Sequence, residues 1–357
     1  MESDVSWSSG DDLDRLDRRI MHALQIDGRA PFARIGEVLG VSDQTVARRY
    51  ARLRGAGTLR VLGLVDPLRV GLTAWLVRVR CTPDAAASVG EALARRTDTR
   101  WVSLISGGTE ISCIVQGAAP GQDDTLLLQQ LPRTPRVVQV SAHALLHVFF
   151  GRDLSPLTRT GPLGPAETAA LAPPDAPARR STETTETTEI TEITEAPVRL
   201  SRDDQRLFDA LAMDGRTSAA ELATATGWSQ TTVRRRLAEL RSSGALYYDL
   251  DFDHATLLGH LQASLWLEVE PARLAEVGAA LAEHEEVAFA GATTGTANLY
   301  AAVVCRDAGA LYRYLTGPVA AIPGIRRLET APIHRTLKGA GPHRGTHRDA
   351  RRTDSPA

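Results

Sequence analysis

Apolar residues recur three and four positions apart through residues 13–62, a period that predicts amphipathic helices rather than strands. Three helices are expected, at 16–25, 32–39 and 43–54. Gly28 is expected to cap the C-terminus of the first helix, whereas Gly40 supplies the tight turn before the third. Ser42 is placed to cap the N-terminus of that third helix. This spacing is typical of a helix-turn-helix unit.

The hydrophobic period then changes to one of short alternating segments. Strands are predicted at 75–79, 100–105, 111–115 and 137–148, and helices at 84–95 and 123–131. The order β-α-β-β-α-β is that of a ferredoxin-like unit, in which right-handed crossovers place both helices on one face of a four-stranded antiparallel sheet. The other face of the sheet needs cover, which a second such sheet would supply.

The whole pattern occurs twice. Asp27-Gly28-Arg29 recurs as Asp214-Gly215-Arg216, and Arg48-Arg49 recurs as Arg235-Arg236, both at an offset of 187 with no gap. The second half also repeats the β-α-β-β-α-β order between 263 and 333. The chain is therefore predicted to be an α+β duplication, with two winged helix-turn-helix domains that are each followed by a ferredoxin-like (βαββαβ) domain.

Composition sets the expected domain boundaries. Residues 152–198 are rich in Pro, Thr and Glu and have no steady amphipathic period, so a disordered linker is predicted there. The expected order is a disordered N-terminus at 1–12, the first helix-turn-helix at 13–62, a ferredoxin-like domain at 63–151, the linker at 152–198, the second helix-turn-helix at 199–249, a second ferredoxin-like domain at 250–338 and a disordered tail at 339–357.

Charge is distributed unevenly. The chain as a whole carries −2, with 41 basic and 43 acidic residues, which does not by itself indicate a nucleic-acid partner. Residues 16–60 nevertheless contain nine arginines and four acidic residues, a local charge of +5. A local excess of this kind is what attracts the phosphates of double-stranded DNA.

The third helix of each copy has a polar face opposite its apolar stripe. We expect DNA contacts from the following residues of the two copies: Ser42, Gln44, Thr45, Arg48, Arg49, Arg52, Ser229, Thr231, Thr232, Arg235 and Arg236. Glu239 stands where the first copy has Arg52, so the second copy should bind more weakly or read another sequence. Glu239 could accept from a cytosine amino group or pair with Arg235 four positions earlier. The alternative is that these arginines form an ordinary solvated helix face.

The most specific runs of the first half are Leu16-Asp17-Arg18-Arg19-Ile20, Leu39-Gly40-Val41-Ser42 and the later Val65-Asp66-Pro67. With them, the chain resembles the Lrp/AsnC (feast/famine) family of bacterial regulators over nearly all of both halves. The resemblance implies a winged helix-turn-helix followed by a domain for dimerisation and effector binding. It also implies a fused tandem form, folded as an intramolecular pseudo-dimer and able to form homo-oligomers.

The family carries a Thr-Gly-x-x-Asp loop near its amino-acid effector pocket. The matching runs here are Ser106-Gly107-Gly108-Thr109-Glu110 and Thr294-Gly295-Thr296-Ala297-Asn298, and both depart from the pattern at the acidic position. The resemblance therefore implies an amino-acid effector bound by Gly107, Thr109, Glu110, Gly295, Thr296 and Asn298. The alternative is that both runs are simple hairpin turns.

The sequence leaves two alternative functions. Some haem-pathway decarboxylases resemble the same tandem architecture, and such an enzyme would need convergent histidines or arginines. His143 and His147 are four positions apart on one predicted strand and should share a face, while His260 and His334 lie in the second half. The remaining alternative is an oligomerisation or effector-sensing module that no longer binds DNA, against which the arginines of the third helix argue.

Other classes of function have little support in the sequence. It contains no nucleophile elbow, phosphate loop or metal-ligand spacing, so we expect no catalytic residue, cofactor or metal. Cys81, Cys113 and Cys305 are expected to be buried thiols. No apolar run approaches the roughly 20 residues of a membrane helix, and a cytoplasmic protein is expected.

Overall fold

A computed structural model describes residues 13–117, 130–152, 155–173, 197–252 and 261–343. The predicted helix at 123–131 falls almost entirely outside these ranges, as do His260, the N-terminal segment 1–12 and most of the predicted linker and tail. The mixed helix and strand content of the described residues confirms the predicted α+β class.

The first helix-turn-helix unit has the three expected helices. They are α1 (Arg15–Ile26), α2 (Phe32–Leu39) and α3 (Asp43–Gly55), and strand β1 (Arg60–Val65) follows them. Gly40 is left-handed at φ 69°, and the Ser42 hydroxyl accepts from the Thr45 N–H at 3.2 Å, as expected for the turn and the N-cap.

The first ferredoxin-like domain follows directly. Its described elements are β2 (Ala74–Cys81), α4 (Ala86–Ala94), β3 (Thr99–Ile105), β4 (Glu110–Gln116) and β5 (Val137–Phe150). Val77 and Val79 of β2 pack with Leu93 of α4, which places the core of this domain between the sheet and its helix.

The linker prediction was wrong for residues 155–171, which form two short helices, α5 (Pro156–Thr160) and α6 (Pro165–Leu171). We call residues 155–171 the strap. Leu157, Leu163 and Leu171 bury their side chains in the core of the helix-turn-helix units, against helices α1 and α2. Three separated leucines in a Pro- and Thr-rich segment show no helical period, so the sequence did not predict these helices. Each leucine is instead buried against the surface formed by α1 and α2.

The second half repeats the first. Its helix-turn-helix unit contains α7 (Arg202–Met213), α8 (Ala219–Thr226), α9 (Gln230–Ser242) and β6 (Leu246–Asp251). Its ferredoxin-like domain contains β7 (Leu261–Val269), α10 (Leu274–Ala282), β8 (Val287–Thr293), β9 (Leu299–Cys305), α11 (Ala308–Tyr314) and β10 (Ile325–Lys338). An offset of 188 aligns β3 with β8 and β5 with β10 from end to end.

Eight strands close into one barrel in the order β10-β3-β4-β2-β5-β8-β9-β7. Each half keeps the strand order of a ferredoxin-like sheet, and the long last strand of each half pairs with the second strand of the other. Leu145 of β5 lies opposite Thr293, and Ile333 of β10 lies opposite Ile105. The expected cover of one sheet by the other is therefore reinforced by hydrogen bonds along both edges, so the barrel has no free edge.

The two helix-turn-helix units also share a sheet. Strands β1 and β6 pair antiparallel with Leu62 opposite Asp249 at the centre, and we call this pair the wing sheet. Ile20 and Leu24 of α1 belong to the same buried cluster as Leu207 and Leu211 of α7. The two units therefore have one common core.

Candidate nucleic-acid interface and effector sites

Two arginines lock the helix-turn-helix units together by equivalent contacts. Arg29 donates to the carbonyl oxygens of Gly215 at 2.8 Å and Thr217 at 3.0 Å. Arg216 donates to the carbonyl oxygens of Gly28 at 2.7 Å and Ala30 at 3.0 Å. All of these positions correspond at the offset of 187, so the contact is two-fold in kind, like that of a symmetric dimer.

The glycine of each Asp-Gly-Arg run serves this contact. A Cβ on Gly28 would lie 2.8 Å from Val61 Cγ1 and 2.9 Å from Tyr248 Cβ, and one on Gly215 would lie 2.7 Å from the backbone of Leu62. Neither glycine has a positive φ, so the expected capping role of Gly28 was wrong. The glycine is needed because the wing sheet approaches too closely for a side chain, through both wing strands at Gly28 and through β1 at Gly215.

A second reciprocal pair joins the third helices to the opposite unit. Arg54 of α3 pairs with Asp214 at 2.8 Å, and its counterpart Arg241 of α9 pairs with Asp27 at 3.0 Å. Each third helix is therefore held by the Asp-Gly-Arg run of the other unit as well as by contacts within its own unit.

The predicted DNA-contacting residues of α3 divide into two groups. Gln44 and Arg48 are exposed, and Arg48 forms no hydrogen bond or ion pair with any residue that the structure describes. Arg49 and Arg52 both pair with Asp17, which is fully buried at the start of α1, and for Arg49 the distance from Nη1 to Oδ1 is 3.1 Å. Arg49 thus ties α3 to α1, whereas the Arg48 guanidinium faces solvent.

The second copy repeats the ion pair between its third and first helices, but its exposed arginine, Arg235, has a carboxylate partner. Arg236 binds the buried Asp204 through Nε at 2.8 Å and Nη2 at 2.9 Å. Burial opposes ionisation of Asp204, but the Arg236 guanidinium and the Ser201 cap hold its pKa below the ordinary value. Glu239 pairs with Arg235 at 3.5 Å, one of the two alternatives expected for it, and it also pairs with Arg236 at 3.2 Å.

The hydroxyl pairs at the start of both third helices are alike. Ser42 Oγ lies 2.9 Å from Thr45 Oγ1, and Ser229 Oγ lies 2.9 Å from Thr232 Oγ1. Ser229 caps α9 by accepting from the Thr232 N–H at 3.1 Å, while Thr231 is exposed. The two helices thus begin with the same capping geometry, and they differ near their C-terminal ends, where α3 has Arg52 and α9 has Glu239.

The first predicted effector loop holds a buried carboxylate between arginines. Glu110 accepts from Arg78 Nε at 2.6 Å and from Arg80 Nε at 2.9 Å, and Ser106 donates to it at 3.2 Å. Burial opposes its ionisation, yet the arginines keep the pKa of Glu110 below its usual range. Gly107 has φ 71°, and the Thr109 hydroxyl donates to the Ser106 carbonyl at 3.0 Å. The carboxylate is therefore already occupied by this chain.

The second predicted loop uses its amide differently. Asn298 accepts from the Val269 N–H and donates to the Val269 carbonyl, both at 2.9 Å, so both ends of its amide bind backbone. Gly295 has φ 100°, and a Cβ there would contact His143. Thr296 is exposed. None of the six predicted effector residues lines the cavity described next.

A cavity of about 400 Å³ lies between the wing sheet and the barrel. Side chains of both wing strands and of all eight barrel strands line it. Its charged lining consists of Arg60, Arg100, Arg152, Lys338, Asp66, Asp249 and Asp251. Sequence reasoning missed this site because its residues are scattered over both halves, with no motif to connect them.

Among the described residues, His143, His147 and His334 do not converge on one site. His143 contacts Trp266 with ring centroids 5.4 Å apart, whereas His147 lies 4.6 Å from Phe149, which packs beside α10. A register shift between Leu145 and His147 interrupts the alternation of β5, so the expected shared face was wrong. His334 is exposed on β10.

Comparison with known proteins fits this arrangement. The AsnC-type helix-turn-helix domain matches residues 13–54 and again residues 200–241, and the Lrp/AsnC ligand binding domain matches residues 262–342. An HTH-type transcriptional regulator of Pyrococcus furiosus is 30% identical over 138 residues, which cover 38% of this chain and 93% of that protein. The chain belongs to the Lrp/AsnC family.

A second Lrp/AsnC relative, the HTH-type transcriptional regulator FL11 of Pyrococcus abyssi, is 26% identical over 142 residues, or 40% of this chain and 93% of that protein. Each such relative corresponds in length to one half of the present chain. This chain is accordingly a tandem Lrp/AsnC regulator, with two helix-turn-helix domains in one polypeptide.

The tandem architecture also has a solved counterpart. The siroheme decarboxylase NirDL superposes with a TM-score of 0.60 over 92% of this chain and 94% of that one, at 12% identity. This likeness concerns the fold. Within the described ranges, no helix is both long and apolar enough to cross a bilayer, and no cluster of His, Cys, Asp or Glu side chains is arranged to hold a metal ion.

Proposed function

We propose that this Lrp/AsnC chain is a sequence-specific transcriptional regulator that binds double-stranded DNA with its two third helices as a fixed pair. The reciprocal contacts of Arg29 and Arg216 carry the proposal, because they hold α3 and α9 in one relative position without a second chain. A covalently joined pair gains avidity when both readers bind neighbouring half-sites.

The preferred site is an imperfect palindrome, and the first reader contributes more of the affinity. Arg48 is unpaired within the described chain, whereas its counterpart Arg235 shares its charge with Glu239. A paired guanidinium must give up its carboxylate before it binds a phosphate or a guanine edge, which reduces the net gain.

Genome-wide mapping of bound DNA, followed by fluorescence anisotropy on the fragments recovered, tests this function. Wild-type protein should bind its own fragments at least a hundredfold more tightly than unrelated DNA at physiological salt. The double variant Arg48→Ala/Arg52→Ala should lose specific binding while it retains a cooperative thermal transition. A folded double variant with unchanged affinity would disprove the assignment.

We further propose an amino acid or a related small molecule as effector, with Gly107, Thr109, Glu110, Gly295, Thr296 and Asn298 as the candidate contacts. The match of the ligand binding domain to residues 262–342 supports an effector. Repeating the mapping with and without the twenty amino acids tests it, since an effector must change occupancy or affinity at some sites.

Exposed Val138 and Leu146 on β5 support the formation of homo-oligomers, and light scattering would measure their mass.

The second candidate is a tetrapyrrole-directed enzyme. Two observations favour it, namely the fold likeness to NirDL and the arginines Arg60, Arg100 and Arg152 around one cavity. Titration with haem tests it by absorbance: a saturable Soret shift at one equivalent supports the enzyme, and its absence together with specific DNA binding supports the regulator.

A further inference from the structure

Arg100 lines the cavity and has no carboxylate partner among the residues that the structure describes. Its Nη1 donates to the Ala340 carbonyl at 2.6 Å, and its Nη2 makes one long contact of 3.4 Å with Gln116 Oε1. Its Nε is buried without any hydrogen-bond partner. Burial lowers the pKa of Arg100, and the only group that opposes this among the described residues is the Tyr247 phenol, not a carboxylate. A guanidinium removed from water in this way lacks the compensation that buried charges normally receive.

Lys338 is the second such cation. Its Nζ donates to the Arg96 carbonyl at 2.5 Å. Asp98, the acidic group that acts on it, is held by Arg96 at 2.7 and 2.8 Å. Burial and the positive charge of Arg100 together lower the pKa of Lys338 to about 8. Two neighbouring cations therefore line one cavity and oppose each other.

The remaining cations of the cavity are already neutralised. Arg60 pairs with Asp251, and Arg152 pairs with Asp66 at 2.8 Å. The unpaired positive charge is thus confined to one wall, that of Arg100 and Lys338.

The barrel side of the cavity is mainly apolar. Leu76, Phe289 and Tyr300 line it, and the Tyr300 hydroxyl lies 3.0 Å from Ser264 Oγ. A wall of apolar groups with a few convergent polar groups is the usual composition of a small-molecule site, and 400 Å³ is within the usual size range.

We propose that the cavity binds one small organic carboxylate, with the carboxylate at Arg100 and Lys338 and the apolar body against Leu76, Phe289 and Tyr300. An organic acid supplies the missing negative charge on one side and buries apolar surface on the other. The guanidinium is the group best suited to bind a carboxylate through paired N–H donors. This site is separate from the two effector loops, none of whose candidate residues lines the cavity.

The two-fold repeat does not duplicate this pair of cations. At the offset of 188, Arg100 corresponds to Ala288 and Lys338 corresponds to Phe150, so the symmetry-related pair of positions has neither cation. Binding should therefore saturate at one ligand per chain, although the architecture is repeated.

The site joins the part that carries the DNA readers to the part that forms the barrel. Tyr247 and Asp249 of the wing sheet face the same cavity as Arg100 of the barrel. A ligand that contacts both bodies favours the relative position that it fits best, and this gives it a means to alter DNA affinity. This coupling rests on the proposed regulatory function, whereas the binding of a carboxylate does not.

Matched acids and amides test the chemistry directly. Indole-3-acetate and indole-3-acetamide are titrated into the full-length protein and followed by calorimetry and ligand-observed NMR, with inorganic phosphate as a third probe. We expect the acid to bind with 1:1 stoichiometry and at least tenfold more tightly than the amide. Arg100→Gln should weaken the acid at least tenfold and leave the amide unchanged, while Arg133→Gln, an exposed arginine away from the cavity, should change neither.

Equal affinity for acid and amide, binding of phosphate but not of the acid, or an unaltered acid affinity in Arg100→Gln would each overturn the proposal. If Arg100→Gln does not fold, Lys338→Gln takes its place under the same criteria. Anisotropy of labelled target DNA with and without the acid then tests the coupling. Protein that binds the acid but no DNA contradicts the proposed function, and protein that binds DNA but not the acid contradicts this site.

Discussion

The two helix-turn-helix units have nearly the same framework but different surroundings. His22 of α1 is buried beneath the strap, and its Nδ1 accepts from the Leu163 N–H at 3.1 Å. The counterpart at the offset of 187 is Asp209, which is exposed on α7. Arg19 similarly pairs with Glu167 of the strap, while its counterpart Arg206 is exposed and pairs with Asp203. A few substitutions on one helix face thus determine which copy acquires a partner segment.

The strap also connects the first unit to the second half. Arg34 of α2 donates to the Ala170 carbonyl at 2.9 Å, and Arg159 donates to the carbonyl oxygens of Ala282 and His284, beside α10. The first helix-turn-helix unit is therefore anchored to the barrel by a segment that has no equivalent among the described residues of the second half. Duplicated domains can consequently have unequal mobility even where their internal contacts are the same.

Removal of the reciprocal contacts should have the largest effect on this pair. In Arg29→Ala/Arg216→Ala, four hydrogen bonds from charged donors to backbone carbonyls are lost. We expect affinity for DNA that carries both half-sites to fall about 100-fold, because avidity depends on a fixed spacing. Anisotropy on single and double half-site DNA measures this. Arg206→Ala, which removes an exposed arginine outside these contacts, is the matched control. Equal losses of affinity for single and double half-site DNA would show that the contacts do not set the spacing between α3 and α9.

Acid should act on the first unit and spare the second. Burial lowers the pKa of His22 to about 4, and its Nε2 has no partner. The unfolded chain therefore takes up the proton first, so the contribution of His22 is complete above about pH 6.5 and is lost as the pH falls towards 4. The full effect is about 3 kcal/mol. Hydrogen exchange from pH 7 to 5 should show α1 losing protection faster than α7, and His22→Phe should remove the difference. Parallel losses in both helices would contradict this account.

Single substitutions at the exposed arginines compare the readers themselves. Arg48→Ala should cost about 1–3 kcal/mol of specific binding, because it removes an unpaired guanidinium from the groove. Arg235→Ala should cost less, since Arg235 is partly neutralised by Glu239 at 3.5 Å. Anisotropy at two salt concentrations separates base from phosphate contacts. A larger loss for Arg235→Ala would reverse the proposed ranking.

Conversion of the second reader towards the first should give the smallest change. Glu239→Arg removes the ion pairs to Arg235 and Arg236 and adds a cation where the first copy has Arg52. Affinity should rise about threefold to tenfold at low salt and less at high salt. Glu239→Gln frees the arginines without adding charge and should give an intermediate value. If neither variant binds more tightly, Glu239 contacts the DNA favourably, for example at a cytosine.

Local signals in the sequence predicted the local structure well. The bounds of α2 agree residue for residue, and Ser42 and Ser229 cap their helices as their positions indicate. These features depend on neighbours within four residues, which a sequence displays directly.

Features that depend on distant contacts could not be predicted in the same way. Gly28 is small because Tyr248 lies against it, and Arg49 is held by Asp17 from another helix. Arg100 becomes significant only when the barrel and the wing sheet enclose it. The duplication itself was visible in the sequence, but its interface was not, since the residues that form it also look like ordinary parts of a helix-turn-helix.

The equal strand lengths of the two halves bear on how such a chain diversifies. In a homodimer every substitution occurs in both subunits, so a new binding site arises as a pair of sites related by the two-fold axis. In this chain β3 and β8 are aligned end to end, yet one carries Arg100 where the other carries Ala288. When both halves lie in one chain, each half can accumulate substitutions separately. A fold with two-fold symmetry can then acquire a binding site on one half only, while the other half still completes the shared barrel.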